Sequence, residues 1–405
     1  MKSLRFKIYL QNLTAKFKIP FLYMQKNFYT NFTLLASSIY IPLLLISAFG
    51  SLFSSNAKML RDRKNNEDIP AILSAVNNGY LPLYFPRKLK NNAKNKGIYP
   101  IGTLPNTKTI YCNEGYGLIT YKSDIFGLRN PNDKWKNINN RSNIYLIGDS
   151  FTDGACVPYE STIPHHLQTF TGISTLNLGM AGNGPYEYQA ILKSILSPII
   201  KVSTTKNHVI IIFYLNDNKR KKTKHDKLLK EAKSIVTMDN NGGFIPSEDY
   251  LLKIKSLIKE NHPTSLKETT SVINNNKYWR NSIYYEIISL YPIRLRLSRA
   301  LGLLNKHIKS ENSPSEDSIE LLSKVCYQKC SPMVVFIPSA STWKPTEAPY
   351  KENLKTISTK FKIPFIDASE VINKNINANY APKGGHLSKE GYRKVADLIS
   401  RRIKH

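Results

Sequence analysis

Short apolar runs alternate with amphipathic stretches through two separated parts of this chain. Residues 143–148, 174–178, 208–214, 332–338 and 363–367 are rich in Ile, Val, Leu, Phe and Tyr. Gly, Asn, Asp or Pro residues bound them, so they read as buried strands. Residues 161–170, 186–196, 315–328 and 388–403 carry apolar positions at helical spacing and read as helices. Strand and helix in alternation predict an α/β fold, with a parallel five-stranded sheet flanked by helices.

Residues 219–312 interrupt this alternation. The stretch is rich in Lys and Asn and predicts a helical insertion, with helical patterns at 226–236, 249–260 and 280–308. The last pattern is basic and amphipathic around Pro292, with Leu295, Leu301 and Leu304 among Arg294, Arg296 and Arg299. Such a helix suits a cover over the core or a cleft, or a membrane surface.

The N-terminal pattern is different. No charge occurs from residue 27 to 57, and residues 32–53 are long enough to cross a bilayer. Lys2, Arg5, Lys7, Lys16, Lys18 and Lys26 precede this run and place the N-terminus in the cytoplasm. The basic leader is long for a cleaved signal peptide, so an uncleaved single-pass anchor is expected. The expected layout is a cytoplasmic basic segment at 1–31, a transmembrane helix at 32–53, a stalk or lead-in at 54–115, and one folded domain at 116–405.

The 58 Lys and Arg residues exceed the 29 Asp and Glu residues, for a net charge of +29. The excess is dispersed Lys without a nucleic-acid-binding motif, so no nucleic-acid partner is expected. A Lys- and Asn-rich background composition accounts for it; attraction to an anionic surface is the alternative. Four cysteines allow two disulfides, with Cys326–Cys330 and Cys112–Cys156 as candidate pairs, or four packed thiols; their even count does not decide.

The candidate chemistry sits where the strand runs end. The run Ile144-Tyr145-Leu146-Ile147 meets Gly148-Asp149-Ser150. Asn177-Leu178-Gly179-Met180-Ala181-Gly182-Asn183-Gly184 follows the second run, and Asn216-Asp217 ends the third. Gly384-Gly385-His386 precedes the last helix. A serine at the C-terminal end of a buried strand lies where open α/β sheets bind ligands. Its hydroxyl needs a base, and a neutral imidazole is suited to that task near pH 7.

These four segments, in this order, resemble the blocks of the SGNH/GDSL hydrolases. The resemblance covers roughly residues 116–218 and 320–405. It implies a flavodoxin-like SGNH fold, Ser150 as nucleophile and His386 as base. It also implies an oxyanion hole of the Ser150 and Gly182 N–H groups and the Asn216 amide. The family places an Asp three residues before the histidine to orient it. That position here is Lys383, which cannot accept the imidazole N–H. Another group must do so, or the site works as a Ser–His dyad, or it is impaired. Asp367, ending the last strand run, is a candidate acid, while Asp149 and Asp217 read as loop-bracing residues.

Asp124-x-x-Gly127-x-Arg129-Asn130 is similar to segments that precede the first block in membrane-anchored SGNH-like proteins of bacterial envelopes, with Arg129 expected to brace a loop or, as the alternative, to touch substrate. The resemblance therefore implies a serine esterase held at the cytoplasmic membrane with its domain in the periplasm. It would act on O-acyl esters, O-acetyl above all, of envelope carbohydrate. Two alternatives stay open: an O-acyltransferase in polysaccharide or glycolipid assembly, and a degenerate domain that binds glycan or serves as a scaffold. No cofactor or metal is expected.

Overall fold

The computed structural model describes residues 40–42, 68–83, 98–219, 229, 232–261, 314–340 and 347–404. The chain divides into two units, residues 1–64 with 267–307 and residues 65–266 with 308–405. Of the first unit only residues 40–42 are described, and they are helical. The expected membrane span at 32–53 and the basic helix at 280–308 otherwise lie outside the described residues. No helix among the described residues is long and apolar enough to cross a membrane.

The second unit begins with helix α1 (Asp68–Asn77) and three short strands, β1 (Leu81–Pro82), β2 (Lys108–Ile110) and β3 (Thr120–Lys122). β1 and β2 are parallel, while β2 and β3 are antiparallel. This corrects the expected boundary at residue 116, because β2 and β3 pair across it. Ile98, Tyr99 and Ile101 are buried in the main core as well, so the lead-in belongs to the folded unit from at least residue 98.

The main sheet follows. Strand β4 (Asn143–Gly148) runs into the short helix α2 (Ser150–Asp153), then helix α3 (Ile163–Thr171) and strand β5 (Ser174–Gly179). Helix α4 (Pro185–Ile191) passes through a π-helical turn, Leu192–Leu196, into α5 (Ser197–Val202) and strand β6 (Asn207–Tyr214). After the insertion come α7 (Pro314–Cys326), β9 (Cys330–Ile337), α8 (Glu347–Lys360), β10 (Phe365–Asp367) and α9 (Lys389–Lys404). The order across the sheet is β10-β9-β6-β4-β5, and every pairing is parallel. Counted along the chain, this is the flavodoxin-like order 2-1-3-4-5.

Side-chain alternation explains why both faces are covered. Tyr145 and Ile147 of β4, Val209, Ile211 and Phe213 of β6, and Val334 and Phe336 of β9 face one layer, against Ile191, Ile199, Ile319 and Leu354. Ile144 and Leu146, Ile210 and Ile212, and Val335 and Ile337 face the other, against Ile163, Leu167, Val395 and Ile399. Each such fully buried side chain contributes roughly 1.5–3 kcal/mol. A strand apolar on both faces is what a doubly covered parallel sheet requires.

Within the expected helical insertion, the structure shows a hairpin of β7 (Val236–Met238) and β8 (Phe244–Pro246), then α6 (Glu248–Asn261). Residues 232–235, expected to be helical, have no regular structure before β7 begins. The Ile235-Val236-Thr237 run is β-branched, and Asp239 caps the Gly-rich turn by accepting from the Asn241 and Gly243 N–H groups. Both features favour a hairpin over a helix.

Candidate active site

The order of the sheet reverses at β4, whose neighbours β5 and β6 lie on either side of it. Ser150 leaves the C-terminal end of β4 and begins α2. Asp149 caps that helix, its carboxylate accepting from the Phe151 N–H at 3.0 Å. The glycines around the turn are demanded by packing. A Cβ on Gly148 would stand 1.9 Å from Thr152 Oγ1, and one on Gly179 would stand 2.5 Å from Thr152 Cβ. α2 therefore lies directly on the ends of β4 and β5.

His386 lies in a turn whose sides are pinned by an antiparallel bridge between Tyr380 and Leu387. The Ala381 N–H donates to the His386 carbonyl at 2.9 Å. Ser388 caps α9 just beyond, its hydroxyl accepting from the Gly391 N–H at 3.0 Å. The Phe151 ring packs 5.0 Å from the imidazole, centroid to centroid, and stacks on Tyr214 at 4.1 Å. His386 Nε2 lies 2.9 Å from Ser150 Oγ.

The other imidazole nitrogen meets a residue that sequence reasoning missed. His386 Nδ1 lies 2.8 Å from Glu114 Oε1, and the His386 backbone N–H donates to Glu114 Oε2 at 3.0 Å. Glu114 is buried, at the tip of the loop between β2 and β3. Burial pushes its carboxyl up, but the hydrogen bonds and charge of His386 outweigh burial and hold it below the usual carboxylate range. Two features seat the loop on the histidine turn. The Lys383 N–H donates to the Glu114 carbonyl at 3.0 Å. Gly384 leaves space that the acid fills, since a Cβ there would lie 1.7 Å from Glu114 Cδ. Lys383, three residues before the histidine, thus contributes its backbone to holding an acid from elsewhere.

Asp367, expected as a candidate acid, is committed elsewhere. It pairs with Lys351 at 2.7 Å and caps the turn at Ser369. Asp217 accepts from the Tyr188 hydroxyl and the Tyr214 N–H, and so braces the end of β6. Asn216, next to it, is exposed and donates its amide to Asp149 Oδ2 at 3.0 Å. Gly182 follows β5 with φ +83°, a left-handed conformation suited to glycine.

A buried polar layer supports the turn after the nucleophile. Arg129 donates to the Gly154 and Val157 carbonyls at 2.6 and 2.8 Å and lies over the Tyr111 and Tyr121 rings. Asp153 accepts from the Tyr111 hydroxyl at 2.7 Å and from the Ala181 N–H at 3.2 Å, which ties the β5 loop to α2. Burial pushes the Asp153 carboxyl up to about 6, with Arg129 and Tyr111 opposing it. Asp124, of the same upstream motif, accepts from the Phe126 and Leu128 N–H groups, the Asn130 amide and the Trp135 indole. The motif therefore braces the structure.

Both cysteine pairs are disulfides, Cys112 with Cys156 and Cys326 with Cys330. Among the described residues, Glu114, Cys156 and His386 form a cluster with metal-ligand spacing. The Cys156 sulfur is held in its disulfide, however, and cannot act as a thiolate ligand. A surface cleft lined by Thr204, Lys206, Gln328 and Lys362 lies at the opposite ends of the strands from Ser150.

No family model matches the sequence, and no curated protein does. Solved structures similar to this chain include a member of the lipolytic protein G-D-S-L family from Veillonella parvula DSM 2008. It is 12% identical, and the alignment covers 65% of this chain and 99% of that one, at a TM-score of 0.33. A lipase from a goat rumen metagenome is also 12% identical, with 64% of this chain and 96% of that one covered, at a TM-score of 0.32.

Proposed function

We propose that this chain is a serine hydrolase of the SGNH/GDSL type that cleaves acyl esters. The observation that carries the reading is the continuous hydrogen-bonded chain from Ser150 Oγ through His386 to Glu114. A complete acid–base–nucleophile relay supports catalysis over a binding or scaffolding role, because a glycan-binding module needs no such relay.

The proposed steps use the Ser150–His386–Glu114 relay. Ser150 Oγ attacks the ester carbonyl carbon as His386 Nε2 takes its proton. Glu114 accepts the Nδ1–H, fixes the tautomer and stabilises the imidazolium that forms. The carbonyl oxygen becomes an oxyanion, assigned to the Ser150 and Gly182 N–H groups and the Asn216 amide. One Asn216 amide hydrogen is engaged by Asp149, which orients the group; the second is assigned to the oxyanion. The tetrahedral intermediate collapses, and the imidazolium gives its proton to the departing alcohol oxygen. Water then attacks the acyl-enzyme by the same route, releasing the acid and restoring Ser150.

The substrate class is an O-acyl ester of envelope carbohydrate, with O-acetyl as the acyl group. The location is outside the cytoplasm, behind a single N-terminal anchor. The charge-free run at 27–57 and the two disulfides support that location, since disulfides persist in oxidising compartments.

Fluorophosphonate labelling of the purified full chain tests the assignment. Wild type is expected to label at Ser150, and Ser150→Ala to lose the label. Equal labelling of both proteins refutes it.

A further inference from the structure

The Cys112–Cys156 disulfide spans 44 residues of sequence and joins the two halves of the site. Cys112 stands two residues before the acid, and Cys156 six residues after the nucleophile. The Cys156 sulfur, a Glu114 carboxylate oxygen and a His386 ring nitrogen all lie within 4.8 Å of one another. The covalent link is therefore packed against the acid–base pair.

The acid's own loop has no regular secondary structure between β2 and β3. Its base is a ladder in which the Tyr111 N–H donates to Ile119 and the Ile119 N–H to Cys112, both at 2.9 Å. Beyond that ladder, the tip bearing Glu114 docks on the histidine turn through the Lys383 and Gly385 N–H groups and the histidine itself, with Tyr116 packed on the core beneath Lys389. On the other side, Cys156 has φ +61°, a left-handed backbone that a non-glycine residue adopts at a cost. Arg129 grips the carbonyls on either side of it, at Gly154 and Val157. A cysteine held in an unfavourable conformation beside the site is explained by the bond it makes there.

We infer that the Cys112–Cys156 disulfide is a positioning element of the active site, which keeps the Glu114 tip docked on His386. The inference rests on the serine-hydrolase reading above. Oxidised, the site works with a three-membered relay. Reduced, the Glu114 tip is released, and Ser150 and His386 act as a dyad with a poorly oriented imidazole. Reduction by a dithiol proceeds by thiolate attack on one sulfur and displacement of the mixed disulfide by the second thiol. Two electrons and two protons pass to the protein, which ends with two thiols, and the reagent becomes a disulfide.

The test measures kcat and KM of the full chain for p-nitrophenyl acetate before and after dithiothreitol, and again after reoxidation with oxidised glutathione. Reduction should lower kcat by on the order of 10³–10⁴-fold, the loss expected when the orienting acid leaves, with KM changed less than about threefold, and reoxidation should restore it. Glu114→Gln should be slow from the start and lose nothing further on reduction. A Cys326→Ala/Cys330→Ala variant should keep the wild-type response, since that disulfide lies at the other end of β9. Cys112→Ala/Cys156→Ala should behave as the reduced enzyme and ignore dithiothreitol. Circular dichroism is recorded at each step. Unchanged kcat on reduction overturns the inference, as does an equal further loss in Glu114→Gln, or unfolding on reduction. Turnover with Ser150 labelling but without redox response overturns this inference alone. Failure of the oxidised wild type to label overturns the hydrolase reading and this inference with it.

Discussion

Replacing Gly384 by alanine should disable the site while leaving the fold in place. The added Cβ would lie 1.7 Å from Glu114 Cδ and 1.9 Å from Oε2, whereas ordinary contact begins near 3.4 Å. The carboxyl must retreat by about 1.7 Å, the difference between those two Cδ distances. A hydrogen bond of 2.8 Å to Nδ1 does not survive that shift, because contacts beyond about 3.5 Å no longer count as one. The clashing atoms are the far end of a flexible side chain, so the backbone need not move and the sheet is untouched. Loss of an orienting acid typically costs on the order of 10³–10⁴ in kcat, or about 4–5.5 kcal/mol of barrier. Gly385 is the matched control: a Cβ there meets nothing within 4 Å, and its backbone is not left-handed. The assay is kcat/KM for p-nitrophenyl acetate, with thermal unfolding recorded for both variants. Gly384→Ala should be nearly silent and folded, and Gly385→Ala within about twofold of wild type. A Gly384→Ala enzyme as fast as wild type would show that Glu114 does not orient His386.

Two further outcomes follow from the charge and sequence patterns. Glu114 is held below its usual carboxylate range, so its contribution to stability is present above its unfolded value near 4.5 and is lost as pH falls through the lower folded value. In urea titrations, the stability gap between wild type and Glu114→Gln should therefore be open at pH 6–7 and close below pH 4.5; a gap that widens in acid contradicts the assignment. A C-terminal alkaline phosphatase fusion should be active outside the cytoplasm and stay with membranes at high salt, and release of a shortened soluble product would instead indicate a cleaved leader.

The sheet was legible because its strands are apolar on both faces. Runs such as 208–214 announce burial regardless of what packs on them, and Asn207–Tyr214 matches that run within a residue. Helix α8 was not legible. Its buried apolar positions are only Tyr350, Leu354 and Ile357, at helical spacing but outnumbered by polar neighbours, with Glu347 and Ser358 completing the buried face. Ser150 and His386 stood out because each ends a recognisable strand or precedes a recognisable helix. Glu114 had no such frame. It lies 272 positions from its partner, between two three-residue strands in a polar stretch. Lys383 stands three residues before the histidine, and Asp367 is the nearest carboxylate that ends a strand run. The usable signal was Cys112, two residues before Glu114 and matched by Cys156 just past the nucleophile. That pair was a candidate bridge on sequence, but an even cysteine count without geometry could not choose it over packed thiols.

The order of the three groups along the chain has a consequence for biosynthesis. The acid leaves the ribosome first, the nucleophile 36 residues later, and the base 236 residues after that. Strands β4, β5 and β6 can therefore assemble around a serine that has no proton acceptor. A serine hydroxyl in that condition is a poor nucleophile. Under the proposed hydrolase reading, turnover would then report that α9 has docked on α3 and carried the His386 turn into place. A nascent chain, or one clipped ahead of that turn, holds most of the sheet and yet stays chemically inert.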